Sequence, residues 1–194
     1  TSRKYFIKQL KSNKETYKNK TSFFFFFLDK RDSIYDFKIN NDAEKGFSEA
    51  YFLNYLNQWF LSPWRIIEHC QFEDEQGYTP TADFILINDD LKLAVDLEID
   101  EPYSFKGSLP IHLVEDPKYI YRDKFFLKLG YIVIRFAEYQ IAKHPDYCCF
   151  HIARVLNQFL DKDTKIALPN SVNIEPLTPQ EWKVKTWTHR ESQI

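Results

Sequence analysis

In "LKLAVDLEIDEPY" (91–103), acidic residues alternate with apolar ones. Successive side chains of a strand point to opposite faces. Leu93, Val95, Leu97 and Ile99 therefore share one face, and Asp96, Glu98 and Asp100 line the other. Neighbouring carboxylates on one strand face repel each other at neutral pH. Solvent, cationic side chains or a metal ion must offset that repulsion. A second strand, "TADFILIN" (81–88), carries Asp83 as its one ionisable side chain. A tight turn at Asn88-Asp89-Asp90 that pairs Asn88 with Leu91 sets Asp83 opposite Asp96 and diagonal to Glu98, within about 8 Å on one sheet face. Glu49 precedes Phe52 and Leu53 by three and four residues and so continues a helix's apolar stripe, where a charged side chain needs a partner. Carboxylates converging at such a distance form a hard-oxygen site suited to Mg²⁺, with Mn²⁺ as a substitute. Such an ion can orient and ionise a water and neutralise charge on a phosphodiester. A solvated acidic face is the plain alternative.

The elements that must position these acids can be read in order. "TSFFFFFLD" and "SIYDFKIN" predict an N-terminal hairpin around the polar turn "KRD". "DAEKGFSEAYFLNYLNQWFLS" has helical period, with Phe52, Leu53, Leu56, Trp59 and Phe60 on one stripe and Pro63 marking the end. Three strands follow, 64–72, 81–88 and 91–100, then a loop holding Pro102, Gly107 and Pro110. A helix is predicted from about Pro117 to Leu129, with Asp116 as N-cap and Gly130 just past its end. "YIVIRFA" is an almost wholly apolar strand of the kind buried on both faces. A last amphipathic helix in "HPDYCCFHIARVLNQFLD" turns Cys148, Ile152, Val155, Leu156 and Phe159 inward. Helix, three strands, helix, strand, helix implies an α/β fold, a mixed sheet with helices on both faces.

A chain of 194 residues with 44% hydrophobic and 28% charged content supports one globular domain with a real core. The Phe run is far shorter than the roughly 20 apolar residues of a membrane helix, so no membrane partner is expected. No signal peptide is visible, and three Cys without disulfide or zinc spacing fit a reducing, cytoplasmic setting. The chain opens at Thr1 and holds no Met, as a trimmed piece of a larger protein with further domains or subunits would. Residues 1–20 carry seven Lys or Arg against Glu15, whereas 72–101 carry ten Asp or Glu against Lys92. A basic arm beside an acidic centre suggests a polyanion held near a cation site.

Helix with Glu49, strand with Asp83, strand with Glu98-Ile99-Asp100, helix with Tyr121-Arg122-Asp123 and strand "VIRF" together resemble the PD-(D/E)XK, restriction-endonuclease-like nucleases. "AVDLEID" followed by "YRDKFFLKLGYIVIRF" is most similar to the very-short-patch-repair-like nuclease domains among them. The resemblance covers about residues 44–160, with 1–43 as basic arm and hairpin and 161–194 as a C-terminal extension. It implies a restriction-endonuclease-like core and a Mg²⁺-dependent endonuclease acting on DNA, with RNA and a homodimer left open. By position it implies Asp83 and Glu98 as metal ligands, Glu49 as the helix acid and Asp100 in the catalytic set, with Asp96 in support. Asp100 stands where the pattern has Lys; some members place an acid there and activate water through metal alone. Lys106 and Lys124 are candidate displaced partners, and His112 a candidate general base. Arg122 and Arg135 are expected to pair with site carboxylates or reach a phosphate. Arg3, Lys4, Lys8 and Lys11, with the tail "WKVKTWTHR", would grip the nucleic-acid backbone. The alternative is a catalytically inactive nuclease fold that serves as a nucleic-acid-binding or assembly module.

Overall fold

The computed structural model describes residues 37–40, 46–101 and 116–167, with positions 169, 174, 177 and 178. The order is strand β1 (Lys38–Ile39), helix α1 (Phe47–Trp59), strands β2 (Trp64–Gln71), β3 (Thr81–Asn88) and β4 (Leu93–Asp100), helix α2 (Pro117–Lys128), strand β5 (Ile132–Ala137), and helices α3 (Glu138–Lys143) and α4 (Pro145–Leu156). One sheet runs β1-β2-β3-β4-β5. Its first four strands are antiparallel, and β5 joins β4 in parallel. A parallel neighbour requires a crossover connection, and α2 lies on it. The expected mixed α/β sheet flanked by helices is therefore present.

Alternation along the strands decides what each face covers. Phe84, Leu86, Val95, Leu97 and Ile99 pack with Phe52 and Leu56 of α1, Ile141 of α3 and Ile152 of α4. Ile85, Ile87, Ala94 and Val133 point the other way, onto Phe126 and Leu127 of α2. Burying each such side chain contributes roughly 1.5–3 kcal/mol. By the same parity Asp96 and Glu98 belong to the α2 face. They lie under a helix rather than toward solvent. Helix α3 was not anticipated; the Gln140 side chain accepts the Ala137 N–H at 2.9 Å and closes its first turn.

The β3–β4 connection corrects an expectation. Four residues, not a two-residue turn, separate the strands, and Asn88 pairs with Leu93. The buried Asn88 side chain accepts the Leu91 N–H at 3.1 Å, which draws that residue out of the ladder. Lys92 completes the turn at φ +53°. The register thus differs by two residues from an Asn88–Leu91 pairing. A slip of one would have inverted the faces; a slip of two keeps them and changes partners. Phe84 pairs with Leu97, so the next rung sets Asp83 opposite Glu98, not Asp96.

Of the expected N-terminal hairpin only residues 37–40 fall within the described residues, with Lys38 paired to Gln71 and Ile39 to Cys70. The arm bearing Arg3, Lys4, Lys8 and Lys11 and the tail "WKVKTWTHR" lie outside the described residues. Cys70, Cys148 and Cys149 are buried free thiols. No helix among the described residues is long and apolar enough to cross a membrane.

Helix α2 begins as its sequence predicts. Asp116 accepts the Lys118 N–H at 2.9 Å, with Pro117 in the first turn. Gly130, at φ +87°, follows its C-terminal end, and a Cβ there would meet nothing within 4 Å. Gly130→Ala should therefore cost about 1–2 kcal/mol from backbone strain alone. Its denaturation midpoint should fall without a change in m-value, and an unchanged midpoint would refute the left-handed assignment.

Candidate active site

The acids of β4 are answered first by arginines. Arg122 projects from α2 on the same face as Phe126, with its guanidinium 4.5 Å from that ring's centroid. Its Nη1 and Nη2 donate to both oxygens of the fully buried Asp96 at 2.9 Å each. Nη2 also donates to Glu98 Oε1, and Nε donates to the Thr81 carbonyl at 2.9 Å. Arg135, paired with Glu98 in the β4–β5 register, grips both oxygens of Asp100 and donates to Asp123 at 2.9 Å. Burial opposes the charge on Arg122, but Asp96 and Glu98 outweigh it and raise its pKa. Burial likewise opposes Arg135, and Asp100 outweighs it.

Beside this network, where β3 begins and β4 ends, lies a cavity of about 460 Å³. Glu49, Asp83, Glu98 and Glu101 line it together with Lys118, Arg122, Tyr78, Tyr119, Thr79, Thr81 and Ile99. At its floor the sheet ladder gives way to side chains. The Asp83 N–H donates to Glu98 Oε1 at 3.2 Å, and Asp83 Oδ2 accepts the Ile99 N–H at 2.7 Å. On the other side the β2–β3 pairing passes from Glu68–Phe84 to Cys70–Ala82, with His69 between them at φ +51°. Glu49 reaches the same place from the first turn of α1, and among the described residues its buried Oε2 accepts no hydrogen bond. His69 Nε2 lies 3.7 Å from that oxygen.

Three of the four cavity acids are held toward their neutral forms. Burial, then the Asp83 charge, pushes Glu49 up to about 7, against the Gly46 N–H. Burial pushes Asp83 up to about 6, with Asp96 and Asp100 adding to it and the Ile99 N–H and Arg122 opposing. Burial and the Asp83 charge raise Glu98 well above the usual carboxylate range despite Arg122. A cation entering here would relieve this repulsion. The donors are hard oxygens, the kind Mg²⁺ takes. Among the described residues no three His, Cys, Asp or Glu are grouped so as to hold a metal. Mg²⁺ commonly uses one or two carboxylates plus water and phosphate oxygens, a demand the Asp83–Glu98 pair fits.

The other candidates fall apart from this pair. Asp96 is sealed beneath α2, and Asp100 turns to Arg135; neither lines the cavity. Both were expected to complete an acidic site, but arginines occupy them because parity and the parallel β5 bring guanidinium groups nearer than any opening. Lys124 is exposed on α2 and does not line the cavity either. Lys106 and His112 lie outside the described residues. Lys118 was missed by sequence reasoning, although its spacing of four from Arg122 on one helix signals a shared face.

No family model matches the chain, and neither does any curated protein or solved structure. The class defined here is thus structural: a mixed α/β sheet with a carboxylate-lined cavity at the β3–β4 end.

Two outcomes are expected. Arg122→Ala strands Asp96 in a dry interior and should cost about 3–5 kcal/mol by denaturant titration. For Glu49 the native pKa of about 7 exceeds the unfolded 4.5, so the native state binds more protons in between. Its stabilising contribution is present below about pH 4.5 and lost as pH rises through about 7. Glu49→Gln should therefore raise Tm by about 2–4 °C at pH 8 and not at pH 4. A lower Tm at pH 8 would contradict the unfavourable ionisation.

Proposed function

We propose that the chain is a metal-dependent endonuclease with a restriction-endonuclease-like core over residues 44–160, hydrolysing DNA phosphodiester bonds. The observation that carries this reading is the Asp83–Glu98 pair, a half-buried and a buried acid facing each other at the end of two paired strands and open to a polar cavity. The order of α1, the β2–β3–β4 meander, the crossover α2 and the parallel β5 supports it.

Asp83 and Glu98 would hold Mg²⁺ or Mn²⁺, with Glu49 beside them through water. When bound, the ion would supply a polarised water and charge neutralisation at phosphorus. In the hydrolysis the water oxygen bonds to phosphorus, one bridging P–O bond breaks, and a phosphomonoester and a hydroxyl result. The protein's part is positional. The Ile99 N–H holds the Asp83 carboxylate, Arg122 holds Glu98, and α1 brings Glu49 to the cavity wall. The basic arm with Arg3, Lys4, Lys8 and Lys11 would add contacts to the nucleic-acid backbone, whether DNA or RNA.

A second reading rests on Arg122 holding Glu98 and on Asp100 held by Arg135. In it the same fold binds nucleic acid or assembles with other chains without cutting. Chelation would then leave binding unchanged.

The deciding experiment is Mn²⁺ titration by calorimetry beside a plasmid cleavage assay with Mg²⁺. Wild type should bind and cut, and Asp83→Ala should do neither. Metal affinity should rise from about pH 5.5 to 8, because the ligands must shed protons whose native pKa values are raised. Cleavage that survives Asp83→Ala sinks the assignment.

A further inference from the structure

We propose that Lys118 is the cation that contacts the substrate phosphate at this site, an inference that rests on the reading of the cavity as a phosphodiester site. An anionic phosphate approaching Asp83, Glu98, Glu49 and Glu101 meets repulsion from four carboxylates. Beyond the charge a bound ion would supply, a cation of the protein facing the phosphate would offset that repulsion. Two cationic side chains line the cavity among the described residues, Arg122 and Lys118. Arg122 is buried, and its guanidinium is already committed to Asp96, Glu98 and the Thr81 carbonyl. Arg135 is held by Asp100 and Asp123 and does not line the cavity.

Lys118 differs from both. It is exposed, and its ammonium enters no ion pair among the described residues. Its backbone is fixed, because Asp116 accepts its N–H at 2.9 Å at the start of α2. Four residues separate it from Arg122, so the two share one helix face. Arg122 touches Glu98 at the cavity floor. Lys118 therefore stands just over one turn, about 6 Å, nearer the helix start on that face. A lysine stem with three rotatable donors suits a phosphate that arrives and leaves, whereas the planar fork of Arg122 suits a permanent pair.

The test is anisotropy of a labelled DNA duplex with Ca²⁺ over a range of salt, run on the full chain as wild type, Lys118→Met and Lys118→Arg, with metal-dependent cleavage measured in parallel. Lys118→Met should weaken binding about tenfold at low salt and reduce the slope of log K against log salt by about 0.9, the signature of one lost phosphate contact. Lys118→Arg should restore the slope, and Tm should not move. A slope equal to wild type in Lys118→Met overturns the proposal, as does failure of the wild type to bind. A reduced slope without wild-type cleavage upholds the phosphate contact and overturns the nuclease reading. An unchanged slope with wild-type cleavage overturns Lys118 alone.

Discussion

The bidentate pair between Arg122 and Asp96 is the constraint on which the rest of the structure depends. Both groups lie between the sheet and α2, where an unpartnered charge is strongly unfavourable. The planar fork of arginine matches both carboxylate oxygens at once, which fixes distance and angle together. That pins α2 in rotation about its axis. Phe126 and Leu127 are thereby directed onto Ile85, Ile87 and Val133. The same rotation brings Lys118 and Tyr119 to the cavity and leaves Lys124 outside. A lysine in place of Arg122 would keep the charge and lose the orientation.

The arginines explain most of the acidic strand face, but not all of it. Asp96 and Asp100 are satisfied by Arg122 and Arg135. Among the described residues no guanidinium bonds to Asp83 or Glu49, and Glu98 has only a share of one. Their raised pKa values follow from burial and mutual repulsion. Unfavourable ionisation left in place beside a cavity is the feature on which the proposed metal site rests. Two populations of carboxylate thus share one strand, separated by whether a guanidinium reaches them.

The strands and helices were largely legible because their signals are local. Asp116-Pro117 starts α2 and Gly130 follows its end through backbone geometry that neighbouring residues set by themselves. Alternation in "LAVDLEID" assigned the acids to one face correctly. The turn between β3 and β4 was misread, because the Asn88 side chain takes the Leu91 N–H and lengthens the connection. That contact has no distinct pattern in "NDDLK". It moved the partner of Asp83 from Asp96 to Glu98. Helix α3 escaped notice because six residues carry too little periodicity to register.

What the sequence determined by itself is most of the elements, the side of the sheet on which each acid lies, and the presence of more carboxylates there than a strand tolerates alone. These follow from period and capping, which act over a few residues. Only the tertiary structure decided which acids are neutralised and which face the cavity. Arg122 lies 26 residues from Asp96 in the chain, and Arg135 lies 35 from Asp100. Contacts at such separation depend on how α2 crosses the sheet and how β5 pairs with β4. The charge balance of the site is therefore a property of the packing, since Coulomb energy depends on distance in space and on burial rather than on position along the chain.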